Sequence, residues 1–184
     1  MFGFYWKKKV LNDAGHKLFS LVIEQSRMDI FYSELAVEDN LDGRFDLMSL
    51  HMSIILQKLD QNKQYSEVDK LKQVFQEIMF DNLDLTLREI GVGDLGVGKK
   101  IKVMAEAFYG RMIAYQNLFE VRDYQKMSDA LLRNLYRERK VNQKTLKFMA
   151  KYVYDQYDFV KNKNMENIML GKLSFLKPTG TQNG

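Results

Sequence analysis

Hydrophobic residues along this chain recur at steps of three and four, the period of a helix that buries one stripe. From Phe45 the apolar positions are Met48, Met52, Ile55 and Leu59, and Leu47, Leu50 and Ile54 cover the adjoining face. A helix over 45–59 that is apolar on most sides belongs at the centre of a fold. A second stripe, Val68, Leu71, Phe75, Ile78 and then Leu85, predicts a helix that starts near Ser66 and continues to Ile90. Ser66 would be its N-cap, with Asp69 in the box position. Ile101, Met104, Phe108, Met112, Tyr115 and Phe119 line a third helix over 99–120. Two more follow at 125–138 and 142–160, the latter capped by Asn142. An earlier helix over 12–26 takes Asn12 or Asp13 as its cap, and 27–43 reads as a linker with one short helix at 30–36. Strand-type alternation never persists.

These elements predict an all-α fold, an irregular single-domain bundle of about six or seven helices. Its core would span 12–173, between an aromatic and basic N-terminal arm (1–11) and a flexible tail (174–184). Composition sharpens this in two respects. The single proline, Pro178, leaves long helices uninterrupted, and the absence of cysteine excludes disulfides and thiolate–metal sites. The longest uncharged apolar stretch, Leu47 to Gln57, falls far short of the roughly 20 residues of a spanning helix. The opening MFGFYWKKK places its aromatics before its lysines, the reverse of a secretory signal. Phe2, Phe4, Tyr5 and Trp6 beside Lys7, Lys8 and Lys9 suit either an anionic membrane surface or packing onto the domain.

Residues 91–100 read GVGDLGVGKK, which spells both G-x-G-x-x-G and G-x-x-x-x-G-K. Each phosphate-cradle motif requires a preceding strand, and here a helical stripe precedes it. The P-loop also requires Ser or Thr after its lysine, and position 100 is Lys. The better account is a reversal between two helices, pinned by Val92, Leu95 and Val97, with Asp94 capping a helix from near Gly96. Four glycines in eight residues exceed what a turn requires, so a close approach of backbone to another molecule stays open.

The run FDNLDLTLREIGVGDLGVGKKIKVMAEAFYGRMIAY, Phe80 to Tyr115, closely resembles the ubiquinol–cytochrome c chaperone family, and the likeness extends upstream through LDGRFDLMSLHMSIILQKL, Leu41 to Leu59. LREIGVGDLGVGKK and AEAFYGR at this spacing are its specific part. The resemblance implies a non-enzymatic assembly factor of the respiratory ubiquinol–cytochrome c reductase, complex III, that holds new cytochrome b. It implies no cofactor and no catalytic residue. It places the protein peripheral to the inner membrane on the cytoplasmic side, or in the matrix of a mitochondrion, in the short form typical of bacteria. Mitochondrial members pair with a small partner protein and stay near the ribosome. Asp84, Arg88, Glu89, Gly91, Gly93, Asp94, Phe108, Tyr109, Gly110 and Arg111 match the motif and are its implied client or partner residues.

The residues themselves offer little chemistry. His16 and His51 are far apart in sequence, so no metal site is expected. Asp84 and Arg88, at i,i+4, suit a helix-surface ion pair. Gly110 within a helix costs about 1 kcal/mol against alanine, which a close helix crossing or a client contact would explain. Charge is asymmetric: residues 1–98 hold 11 Lys+Arg against 16 Asp+Glu, and 99–184 hold 17 against 8. Arg133, Arg137, Arg139, Lys140, Lys144, Lys147 and Lys151 concentrate this, with Arg133 and Arg137 on one helix face and the last three lysines on the next. They form either a patch for ribosomal RNA or anionic lipid, or a solvated helix pair. The alternative function is therefore a ribosome- or membrane-associated helical module without a cytochrome b client. Tyr136, Phe148, Tyr152, Tyr154 and Tyr157 are spaced for core packing, and no sequence-specific nucleic-acid readout is indicated. Met48, Met52, Met79, Met104, Met112 and Met127 lie near apolar faces, where they line a client groove or fill the core.

Overall fold

The computed structural model describes residues 2–178, without the side chains of 2–7. Its elements are α1 (Phe2–Ser26), α2 (Ile30–Ser33), α3 (Leu41–Asp60), α4 (Val68–Glu89), α5 (Asp94–Phe119), α6 (Tyr124–Asn134), α7 (Gln143–Lys161) and α8 (Met165–Met169). No strand occurs among the described residues. The fold is all-α, with six long helices and two short ones.

Helix α3 is the hub. Its middle, Leu47 to Leu56, is buried on every side, and α1, α4, α5 and α7 all pack on it. Asn40 caps it, accepting from the Gly43 N–H at 2.8 Å. Helix α1 lies beside α4 in the same direction, with Gly15 against Val74, Phe75 and Ile78. A Cβ on Gly15 would stand 2.7 Å from Val74 Cγ1, so the glycine sets how closely the two helices approach. On α4 the predicted stripe is buried through Ile78, then moves to Leu83 and Leu87. Leu85 is 55% exposed, because α4 turns its later face toward α3 and α5.

Several boundaries differ from expectation. The chain is helical from Phe2, so residues 2–11 prolong α1, and Asn12 and Asp13 cap nothing. No strong breaker separates the lysines from the helix that follows. The expected contacts of Phe2, Phe4, Tyr5, Trp6 and Lys7 lie outside the described side chains. Helix α4 is entered through Glu67 with no side-chain cap, so Ser66 is not the N-cap. Helix α6 stops at Asn134 because Arg137 and Glu138 adopt left-handed φ of 51° and 59°. Asn142 caps α7 as predicted, accepting from Lys144 N–H at 2.8 Å.

The flexible tail expected from Ser174 is instead tied down over 174–178; residues 179–184 lie outside the described region. Leu176 O accepts from Gln25 Nε2 at 2.8 Å and from Gln156 Nε2 at 2.6 Å, and Leu176 N–H donates to Gln156 Oε1 at 2.9 Å. Phe175 packs edge-on to His51 at 5.3 Å. These bonds continue an interior polar chain. His51 Nδ1 lies 2.9 Å from both Leu47 O and Ser26 Oγ, and its Nε2 lies 2.7 Å from Tyr152 OH, which accepts from Gln25. In the neutral tautomer protonated at Nδ1, the single N–H points to Leu47 O and Ser26 Oγ together, and Nε2 accepts from Tyr152 OH.

Burial holds the His51 pKa down, from 6.5 to about 3. The unfolded imidazole takes up a proton below its ordinary value and the folded one refuses it. Stability is therefore lost as pH falls from 6.5 toward 3, at up to about 1.4 kcal/mol per unit from this residue. Urea denaturation across that window should show a shallower acid loss for His51→Gln than for the wild type. Parallel slopes would refute the assignment.

Candidate functional site

The glycine segment closes α4 and opens α5. Gly91, with φ +88°, stands just past the C-cap Ile90. Its N–H donates to Arg88 O at 2.9 Å, and Val92 N–H donates to Leu87 O at 3.0 Å, the paired bonds of a Schellman stop. Gly93 is extended and becomes the N-cap of α5, its carbonyl accepting from Gly96 at 2.7 Å and Val97 at 3.1 Å. Residues 91–93 alone make the reversal. The element before them is helix α4, so the strand that a phosphate cradle needs is absent.

Asp94 opens α5 without capping it through its side chain, correcting the expected start near Gly96. Its carboxylate instead accepts from Arg88, which also donates to Asp84 at 2.6 Å. Asp84 first, then Asp94, raises the Arg88 pKa above its ordinary value. This exposed brace spans the reversal, and Glu89 is exposed beside it.

Helix α5 then presents two unlike faces. Phe108, Tyr115 and Phe119 are fully buried, with Ile101, Met104 and Met112 packed beside them, which is the stripe the periodicity predicts. Phe108 meets the Phe80 and Tyr109 rings edge-on. The opposite face carries Leu95, Val103, Tyr109 and Ile113, exposed by 92%, 64%, 41% and 54%. Gly110 lies among them and faces open space, since an added Cβ would meet nothing within 4 Å. No helix crosses there. The outward face of the motif thus carries exposed apolar side chains, with Lys102 and Glu106 between them and a bare stretch of backbone at Gly110, and that is the candidate interface.

Arg111 is turned inward. It donates from Nη2 to Asp46 Oδ1 at 2.9 Å, from Nε to Asn134 O at 3.1 Å and from Nη1 to Ala107 O at 3.1 Å. Its guanidinium also lies over the Phe45 ring at 5.7 Å. Asp46 has no exposed side-chain surface and receives a second cation, Arg137, whose Nε is 2.7 Å away. Burial raises the Asp46 pKa, against the opposing pull of Arg137 and Arg111. Arg137 further bonds Asp42 at 2.7 Å. Arg111 and Phe108 therefore serve the fold, while Tyr109 and Gly110 stay outward.

The basic group divides in the same manner. Arg133 and Arg137 do not share a helix, because Arg137 lies beyond the end of α6. Arg137 is taken by Asp46 and Asp42, Arg139 by Glu38 at 3.1 Å and Ala36 O at 3.1 Å, and Lys151 by Asp155 at 2.5 Å. Arg133, Lys140, Lys144 and Lys147 are exposed, as those three are. The methionines do not form a surface groove. Met48, Met52, Met79 and Met127 are buried, and Met104 and Met112 pack partly against the core. The exposed apolar strip is aliphatic and tyrosine-based instead. Tyr136, Tyr152, Tyr154 and Tyr157 are core residues, as their spacing predicts.

Two other features bear on function. Among the described residues no three of His, Asp and Glu gather where a metal ion would bind. A cavity of about 290 Å³ between α1, α3 and α4 is bordered by Arg27, Tyr32, Arg44 and Asn82; Ile90 of the motif segment lines it, but none of the ten implied client or partner residues does.

An all-α bundle with exposed apolar side chains along one helix has the kind of surface that protein–protein contacts use. Comparison with known proteins makes this specific. The chain belongs to the ubiquinol–cytochrome c chaperone family, whose model matches residues 33–175. It is similar to ubiquinol–cytochrome c reductase complex assembly factor 1 of Mus musculus, 19% identical over 165 residues, covering 90% of this chain and 54% of the mouse protein. The same factor from Homo sapiens is 20% identical over 171 residues, covering 92% and 55%. The chain thus spans about half the length of these curated relatives. A crystal structure described as the Cbp3 homolog from Brucella abortus superimposes with a TM-score of 0.83 at 27% identity, over 95% of both chains.

Two substitutions separate fold from surface. Arg111→Met leaves Asp46 buried beside one cation and should destabilise the protein by about 3 kcal/mol in urea denaturation. Gly110→Ala should raise stability by roughly 0.5–1 kcal/mol, since the helix gains propensity and the methyl meets nothing. A loss of stability there would show that the fold itself requires the glycine.

Proposed function

We propose that this protein is a non-enzymatic assembly chaperone of the ubiquinol–cytochrome c reductase, complex III, that holds cytochrome b before its partner subunits arrive. Family membership and the names of the mouse and human relatives support the destination. The observation that carries the mechanism is the outward face of α5. Val103, Tyr109 and Ile113 lie in one strip along the motif, and Gly110 lets another backbone approach. An apolar client helix laid on this strip removes both surfaces from water at about 25 cal/mol per Å². Chemistry is not required, only a face that stays apolar in the free protein.

No described helix is long and apolar enough to cross a membrane, so the chaperone would meet its client from the membrane's edge. Its place would be the cytoplasmic face of an inner membrane, or the matrix side in a mitochondrion. Lys140, Lys144 and Lys147, exposed near the start of α7, would supply contact with a polyanion such as ribosomal RNA. Pairing with a small partner protein, as in mitochondrial members, would use surface left open beside the strip.

A deletion strain complemented with the wild type or with Ile113→Asp tests this reading. Ile113 is more than half exposed, so the variant should keep the wild-type melting temperature. It should nevertheless lower assembled complex III and cytochrome b haem absorbance several-fold, leaving other respiratory complexes unchanged. Normal complex III in the deletion strain itself would overturn the function, and full rescue by Ile113→Asp would overturn the surface.

A further inference from the structure

The cavity of about 290 Å³ between α1, α3 and α4 has an apolar base and a polar rim. Phe45, Met48 and Leu83 make the base, with half-buried Ile23 and Leu41 beside them. Tyr32 of α2 walls one side, and its hydroxyl is already committed, donating to Ser26 O at 2.6 Å. Three charged residues line the cavity: Arg27, Arg44 and Asp39. Arg44 Nε donates to Asp39 Oδ1 at 2.7 Å, in a pair more than half exposed on both sides, which holds weakly. Arg27 has no carboxylate partner among the described residues; Glu24, one turn before it, and Glu89 are exposed outside the lining. Burial raises the Tyr32 pKa, Arg44 and Arg27 pull it down and Asp39 pushes it up, so all three charges are felt inside the cavity.

A concave, apolar wall with a few converging polar groups is the ordinary form of a small-molecule site, and this one lies at the small end of the usual range of roughly 300–1,000 Å³. The walls define the occupant. The base offers nothing to a polar group, so the body of the ligand is apolar. The rim offers two guanidinium forks, whose geometry matches a carboxylate. Asn82 and Thr86 add further donors there. We propose that this cavity binds a small amphiphile with a carboxylate head, of the class of a medium-chain fatty acid. Its alkyl chain lies on Phe45, Met48 and Leu83, and its carboxylate meets Arg27 and Arg44, taking the place of Asp39 on the latter. The site is separate from the outward face of α5 and does not depend on the client.

Titration of the full chain with octanoate, 1-octanol and octylammonium, each below its micellar concentration and followed by backbone amide NMR shifts, tests the proposal. Octanoate should shift the amides of Leu83 and Thr86 and saturate. Octanol, with the same chain, should bind about tenfold more weakly for want of charge-assisted hydrogen bonds, and octylammonium more weakly still. Hexanoate should lose about fifteenfold against octanoate, the worth of two buried methylene groups. Arg27→Gln should weaken octanoate about tenfold and leave octanol unchanged. Asp39→Asn should instead tighten octanoate, by removing its competitor at Arg44. Arg27 and Asp39 are exposed, so both variants should keep the wild-type melting temperature. Lys172→Gln, on the exposed C-terminal segment, should change nothing. Octylammonium bound as tightly as octanoate, full octanoate affinity in Arg27→Gln, or no saturable shift at the cavity would each overturn the proposal. Neither client nor complex III enters the measurement, so such a failure leaves the assembly role intact.

Discussion

One buried carboxylate organises this molecule. Asp46 sits on the hub helix without solvent contact, and a lone charge there would cost several kcal/mol. Two arginines from distant parts of the chain answer it, Arg111 from α5 and Arg137 from the loop between α6 and α7. Neither is placed cheaply. Arg137 holds a left-handed backbone, and Arg111 must spend its remaining donors on Asn134 O and Ala107 O. The outcome is that α3, α5 and the α6–α7 loop are fixed at one point. The same loop also grips the linker before α3 through Tyr136 OH on Leu35 O and Arg139 on Ala36 O.

That junction has a consequence for the surface. Holding α5 by Arg111 fixes the helix rotation, because Arg111 and its neighbours Phe108 and Tyr115 must point inward together. Tyr109, Gly110 and Ile113 are then left outward by the helical period alone. The apolar strip is thus the reverse side of an electrostatic clamp. A motif that reads as one functional block in sequence divides, one residue to the next, into members that hold the fold and members that face solvent. His51 and its polar chain do comparable work at the opposite side of α3, tying α1, α7 and the segment at Leu176 to the hub.

Much of the architecture was legible from the apolar period. The buried lines of α3 and α5 and the first half of α4 follow directly from steps of three and four, because burial of a helix stripe is a local property of sequence. The family was legible too, from two short segments at fixed spacing. Errors arose where a neighbour decided. Ser66 and Asp94 are good cap residues by type, yet Asp94 is claimed by Arg88 and α4 begins one residue beyond Glu67. The C-terminal segment looked loose because nothing local predicts that Gln25 and Gln156 converge on Leu176. By sequence the methionines suited a client groove or the core alike, and the fold put Met48, Met52, Met79 and Met127 in the core with Met104 and Met112 packed partly against it.

The sequence by itself determined that the chain is helical, where its long helices lie, and to which family it belongs, since periodicity, breakers and motif spacing are all local. Only the tertiary structure decided which charges are spent internally and which glycines are structural. Arg137, Arg139 and Lys151 looked like part of a basic patch but are paired with carboxylates up to a hundred residues away or one helical turn on. Gly15 turned out to set a helix approach, while Gly110 faces open space. Pairing and close approach depend on what the fold brings opposite a residue, and no period along the chain encodes that.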